Sequence, residues 1–422
     1  MKFLKLFLSA LLMAILAFTF ISCGEASNGA DKGGGFGGAV SVPEGGVGAS
    51  SDTNGTNGPD KVEPEQIQRP AGLITAGAHN DNDNYPDWLS LFEQRDDGTN
   101  GKFFGYTGEY SWGFGTHNRI KATVKCADTP LGGVKVVARG ADTNSIFTAV
   151  TDANGVAYLF IDAEHGTVSA GDAVAEFSAE ERDILLELEA ENNKLDVIDL
   201  MFVVDVTGSM GDELEYLKNE VADVINRVSA SNEGAKINLA LLFYRDAGDK
   251  EQFAYHDFTD VTNADGLRAV QTALSGQSAT GGGDYPEAVD EALELAMTKQ
   301  WSSGASTKLI FHILDAPPHS TSADKTRYKA AVTKAAEQGI RICPILCSGA
   351  DYLTEYLTRQ AAIQTGGTFV FITDDSGIGN EHHDPEIRDV TVEALNSLMV
   401  RLINGYHTGE FAEPVDWRQE VK

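Results

Sequence analysis

Val197-Ile198-Asp199-Leu200-Met201-Phe202-Val203-Val204 runs directly into Asp205-Val206-Thr207-Gly208-Ser209-Met210. The first eight residues contain one polar member, Asp199, and are too short and too β-branched for a buried helix, so they read as a strand covered on both faces. The next six place an aspartate and two hydroxyls at alternate positions and lead into a helical pattern at 212–229. Further along, Ile237 to Tyr244, Leu309 to Leu314, Ile340 to Leu346 and Thr368 to Ile372 repeat the buried-strand pattern, with helical patterns at 287–299, 323–338 and 386–404. Strands alternating with helices predict an α/β fold with a doubly wound, mostly parallel sheet over 195–406.

In such sheets the loops at the carboxyl ends of the strands form the ligand crevice. Three of these loops carry oxygen-bearing side chains: the 205–210 loop, Ser278-Ala279-Thr280-Gly281-Gly282-Gly283-Asp284, and Asp315-Ala316-Pro317-Pro318-His319. A hard divalent cation takes oxygen ligands, and magnesium keeps several waters in an octahedral shell. Asp205, Thr207 and Ser209 on a curled turn, with Thr280 and Asp315, supply such a set, and Gly208 permits close backbone approach. Few protein ligands leave a position that an incoming carboxylate can complete. Ser278 is an alternative to Thr280, and Ser209 could instead cap the following helix. Asp284 and Glu287 read as a D-x-x-E capping arrangement at a helix opening with Tyr285-Pro286-Glu287. His319 reads as solvent-facing or loop-shaping.

At these residues the chain resembles the von Willebrand factor type A family, whose metal-ion-dependent adhesion site reads D-x-S-x-S with a distant Thr and Asp. Asp205, Thr207 and Ser209 match the first loop, Thr280 the second and Asp315 the third, with threonine in place of the first serine. The variant looks closest to the subgroup written DVTGSM, GGGDYPEA and LDAPPH, all present here in order over residues 196 to 405. The resemblance implies a bound Mg2+, with Mn2+ or Ca2+ as alternatives. It also implies a protein or glycan partner bearing a carboxylate.

Toward the N-terminus, Ile120, Ala122, Val124 and Cys126 alternate with polar residues, and Asp152-Ala153-Asn154-Gly155 marks a hairpin turn between Phe147–Val150 and Val156–Leu159. A small all-β sandwich is predicted over 118–194. The segments 129–136 (TPLGGVKV) and 151–159 (TDANGVAYL) resemble carboxypeptidase regulatory-like and bacterial Ig-like modules, which implies a spacer. Residues 65–117 are aromatic-rich, with Phe103, Phe104, Tyr106, Trp112 and Phe114, and their sequence does not specify a fold. The run Asn80-Asp81-Asn82-Asp83-Asn84 lacks an EF-hand glycine, Pro86 standing at that position, and reads as a solvated loop or turn. Residues 407–422 form a tail.

Lys2, Lys5 and an apolar run to Ile21 make residues 1–22 a signal peptide, and Cys23 after Ser22 resembles a bacterial lipobox whose thiol takes the lipid. Residues 23–64 hold 12 glycines and one aromatic, Phe36, and form a disordered tether. It spans roughly 35 Å as a coil. A lipid-anchored protein of the bacterial envelope follows from these features. Cys343 and Cys347 lie about 13 Å apart along an extended strand, beyond disulfide reach, and read as buried free thiols. His382-His383-Asp384 offers too few ligands for zinc and reads as a loop.

With 63 acidic and 32 basic residues the formal net charge is −31, which disfavours nucleic acid and anionic surfaces. Thr-Gly-Ser209-Met-Gly lacks the first glycine of a nucleophile elbow, and there is no Walker loop or dinucleotide fingerprint, so the chain is not expected to be an enzyme. Metal-dependent adhesion or ligand capture is the leading function. A scaffold with a constant envelope partner is the alternative, and a hydrolase a lesser one.

Overall fold

A computed structural model describes residues 73–108, 111–189, 195–376 and 383–420, which fall within one unit spanning Gln66–Lys422. The leader at 1–22, Cys23, the tether at 23–64 and His382 lie outside the described residues.

The elements run β1 (Thr75–His79), α1 (Tyr85–Ser90), β2 (Arg119–Cys126), β3 (Thr129–Pro130), β4 (Lys135–Gly140), β5 (Ile146–Val150), β6 (Val156–Phe160), β7 (Gly166–Ala170), β8 (Ala173–Phe177) and β9 (Asp183–Glu187). They continue with β10 (Val197–Asp205), α2 (Gly211–Ser231), β11 (Lys236–Tyr244), β12 (Phe253–Asp260), α3 (Ala264–Ser275), α4 (Val289–Met297), β13 (Thr307–Leu314) and α5 (Ser322–Gln338). Last come β14 (Ile340–Leu346), α6 (Tyr352–Thr365), β15 (Phe369–Ile372), β16 (Glu393–Ala394), α7 (Leu395–Thr408) and α8 (Trp417–Glu420).

The main sheet has eight strands in the order β12-β11-β10-β13-β14-β15-β1-β16, with β11 through β15 parallel along that path and the strands at both margins antiparallel. The period-two geometry of a strand divides its side chains between two cores. Met201 and Val203 of β10 join the layer of α4, α5 and α6, while Leu200, Phe202 and Val204 join that of α2, α3 and α7. Asp199, the polar exception in β10, is 1% exposed and accepts from Asn238 Nδ2 at 2.8 Å and from Ser302 N at 2.7 Å.

Two four-stranded sheets precede this one. In the first, β2 pairs with β3, β6 and β9; in the second the order is β5-β4-β7-β8. Their inward residues, among them Ile120, Val136, Phe147, Leu159 and Val168, belong to the same apolar cluster as α5 and α6. The Asp152–Gly155 turn exists, with the Asp152 carboxylate accepting from Asn154 N and Val156 N. It is not a hairpin: β5 pairs with β4 and β6 with β2, so the turn carries the chain from one sheet to the other.

The helix expected at 386–404 begins at Leu395, because Glu393 and Ala394 pair with Thr75 and Ala76 as a strand. The N-terminal segment thus supplies a strand, β1, to the large sheet. Asp81 and Asn82 are a turn but not a solvated one: both are buried, Asp81 against Arg359 and Asn82 donating to Ile363 O. Helix α6 showed no amphipathic stripe because all sides of it are covered, the aromatic segment supplying one cover through Phe103 and Tyr106 packed on Tyr356. Cys343 and Cys347 are free and buried.

Candidate functional site

The parallel strand β10 lies between β11 and β13, which follow it in the chain on opposite sides, so its carboxyl end is a topological switch point. Asp205 ends that strand and is 0% exposed. Its Oδ1 accepts from Thr207 N at 2.8 Å and Thr207 Oγ1 at 2.7 Å, while Oδ2 is buried with no hydrogen-bond partner. Gly208 to Met210 make one 3-10 turn, which brings Ser209 Oγ to 3.5 Å from Thr207 Oγ1. Ser209 does not cap α2, whose N-cap is Met210 with no side-chain cap.

Asp315 follows β13 and is buried. Burial, then the nearby Asp315 charge, pushes the Asp205 carboxyl up to about 7, and burial raises Asp315 as well. Neither acid has a basic side chain in salt-bridge contact, so in the metal-free protein each is held closer to its protonated form.

The second loop is anchored by backbone. Thr280 N donates to Val206 O at 2.9 Å, and Gly208 N donates to Gly281 O at 3.2 Å. Arg245, just past β11, completes the anchoring: its Nε donates to Thr280 O and its Nη2 to Ser278 O, both at 2.9 Å. Asp205, Thr207 and Ser209 are therefore brought together by side chain, and the Asp315 carboxyl is near enough to raise that of Asp205. Thr280 adjoins them through its main chain, and its side chain is exposed, as is that of Ser278.

Two acidic residues beyond the expected set face the same crevice. Glu287 was expected in a capping arrangement with Asp284, but α4 starts at Val289 with Ala288 as N-cap and no side-chain cap. The reason is a competing tie: Glu287 N donates to Pro317 O at 3.0 Å, and the residue bridges to Pro318 as if in a strand. Its carboxyl is turned inward, 4% of the residue is exposed, and Oε2 has no partner. Burial first, then Asp205 and Asp246, pushes it up to about 9. Asp246, next to Arg245, accepts from or shares a proton with His319 Nε2 at 2.9 Å, and that hydrogen bond raises the imidazole from its ordinary range. His319 thus shapes the loop. The signal for Arg245 and Asp246 was their position after a parallel strand, in the one crevice loop without a carboxylate-hydroxyl pattern.

Orphaned buried carboxylate oxygens beside two hydroxyls fit a hard cation, which would replace the protons these acids otherwise hold. Among the described residues no three Asp, Glu, His or Cys side chains converge as a ready-made cation site, so an ion here draws on hydroxyls and water as well. His383 of the expected loop lies elsewhere, with Nε2 2.6 Å from Glu355 Oε2.

Residues 199–374 match the family described as von Willebrand factor A domain. The alpha-protein kinase vwkA of Dictyostelium discoideum is 28% identical over 152 residues, 34% of this chain and 23% of the kinase. An ariadne-like RING finger protein of Acanthamoeba polyphaga mimivirus is 33% identical over 125 residues, 29% of this chain and 11% of that protein. The chain therefore spans less than a quarter of either relative. Among solved structures, the pilus adhesin SpaC from Lactobacillus rhamnosus GG is 13% identical, with 67% of this chain and 36% of that one covered and a TM-score of 0.35. BatB from Bacteroides thetaiotaomicron is 17% identical, with coverage of 44% and 91% and a TM-score of 0.31.

Proposed function

We propose, from the premise that residues 199–374 form a von Willebrand factor A domain, that the chain is a metal-dependent binding protein of the bacterial envelope. The carboxylates of Asp205 and Asp315 and the hydroxyls of Thr207 and Ser209 would hold a divalent cation, Mg2+ or alternatively Mn2+ or Ca2+, with the Thr280 loop closing its far side. The bound ion supplies a Lewis-acidic point that takes an oxygen from a protein or glycan partner; a partner carboxylate is the donor the motif implies. Everything else is positioning. Strand β10 presents Asp205 at its tip, the 3-10 turn brings the exposed Ser209 hydroxyl to 3.5 Å from that of the buried Thr207, and Arg245 pins the neighbouring loop by its carbonyls.

The observation that carries this reading is the buried Asp205 Oδ2 without a partner. An unpaired buried carboxylate oxygen costs on the order of 1–3 kcal/mol, and a cation removes that cost. Calorimetry of the chelator-stripped protein with Mg2+ is expected to show saturable binding that disappears in Asp205→Ala. Equal heats from the two proteins would end the assignment.

Placement at the envelope is proposed from the leader and Cys23. Lipid chains contribute roughly 0.8 kcal/mol of membrane affinity per buried methylene. Cells given a labelled fatty acid should incorporate it into the wild-type chain but not into Cys23→Ser; label in both would remove the anchor from the proposal.

A further inference from the structure

The motif implies a cation coordinated mostly by neutral groups, yet the crevice holds a third buried acid. Glu287 Oε1 lies 2.7 Å from where a Cβ on Gly282 would stand, and that same point is 3.2 Å from Thr207 Cβ. Gly282, at φ 76°, leaves the space that the glutamate and Thr207 share. The main chain of Glu287 is tied to the Asp315 loop through Pro317 O, so its carboxyl is placed by two of the crevice loops at once. Its Oε2 is buried without a hydrogen-bond partner, in a residue only 4% exposed. A glutamate in a fold of this kind could have turned outward to water. This one is buried beside the Thr207 turn with an oxygen left unused, an arrangement that a cation resolves and that packing alone does not.

We propose, on the cation-binding reading above, that Glu287 is the third carboxylate of the site, held at the cation through one of its waters, and that it selects a partner offering a neutral oxygen from a basic surface. The charge balance decides the partner. A divalent cation with Asp205 and Asp315 is neutral, and a partner carboxylate can join it at modest cost. With Glu287 the filled site carries a net charge of about −1 by the same count. Asp249, whose Oδ2 accepts from Gly282 N at 2.8 Å, and Asp246 stand around it on a chain of formal charge −31. An incoming carboxylate meets an excess of like charge, since Arg245 is engaged by the Ser278 and Thr280 carbonyls and His319 by Asp246. A peptide carbonyl or sugar hydroxyl does not, and lysine or arginine residues flanking it gain from the same field. This replaces the acid-bearing partner that the motif implied.

Mn2+ serves as the probe, with the full chain stripped by chelator. Free Mn2+ is counted by electron paramagnetic resonance, and the relaxation of water protons reports the waters left on the bound ion. The wild type is expected to bind Mn2+ and to keep its relaxivity when acetate is added. Glu287→Gln should bind roughly tenfold or more weakly, since carboxylate count tunes such affinities, and its relaxivity should fall with acetate. Equal Mn2+ affinity in Glu287→Gln and wild type, or loss of relaxivity in the wild type on acetate addition, overturns the inference. The second measurement needs no variant, so it stands even where the substitution disturbs folding. If the wild type binds Mn2+ and Asp205→Ala does not while Glu287→Gln matches wild type, only the role of Glu287 falls. If the wild type binds none, the cation reading falls with it.

Discussion

Asp205 is where stability and function oppose each other. Its carboxyl is raised from an ordinary 3.8 to about 7 by burial and by Asp315. For an acid whose folded value is raised, the folded state binds more protons than the unfolded one, so stability falls as pH rises between those two values and the cost is complete above about 7. In chelator at pH 8 that cost is about 4 kcal/mol at most. Asp205→Asn keeps the shape without the charge and is expected to raise the thermal midpoint of the metal-free protein at pH 8, while abolishing Mg2+ binding. A lower midpoint than wild type would contradict this account of the site. At this scale the motif residues Asp205, Thr207, Ser209 and Asp315 were legible because alternate spacing after a buried strand has few other uses. Glu287 was not, since D-x-x-E before an apolar run has the pattern of a helix cap, and the tie from Glu287 N to Pro317 O that holds it out of the helix is a long-range one.

Helix α6 depends on a charge network that the N-terminal segment completes. Arg359 is almost fully buried, with Nε 3.0 Å from Asp81 Oδ2 and Nη1 3.1 Å from Glu355 Oε1, and Lys102 Nζ lies 2.9 Å from the other oxygen of Glu355. Burial opposes ionisation of both acids, but Arg359 with His79 at Asp81, and His383, Arg359 and Lys102 at Glu355, outweigh it and hold both below the ordinary carboxylate range. Depressed folded values contribute stability that is present above the unfolded pKa and lost as pH falls through the folded one. Arg359→Met leaves two buried carboxylates short of their partner and is expected to cost about 3–5 kcal/mol at pH 7. Urea unfolding at pH 7 and again near pH 3 checks this: the gap between variant and wild type should narrow in acid as the carboxyls protonate. A constant gap would mean the loss is packing instead. The helix escaped sequence reading because Thr354, Glu355, Thr358, Arg359 and Gln360 interrupt any apolar stripe while being buried themselves.

Over the whole molecule, an excess of acids giving −31 makes self-repulsion a general term. Raising salt from about 0.01 M to about 0.1 M shortens the screening length from about 30 Å to about 10 Å. The thermal midpoint of the metal-free protein should therefore rise by a few degrees in sodium chloride; a flat or falling midpoint would show that the charges are already compensated by pairing. The alternation of buried strands with helices was enough by itself to determine the α/β class, the parallel central strands and the crevice at their carboxyl ends, since each follows from short-range periodicity and the connection rules of such sheets. Only the tertiary structure decided that residues 75–79 and 393–394 extend the sheet, that residues 147–150 and 156–160 go to different sheets, and that Glu287 is buried beside the Thr207 turn. Those features rest on pairings and ties between segments distant in the chain or on a choice between equivalent local geometries, and a one-dimensional pattern carries no energy term that ranks such alternatives.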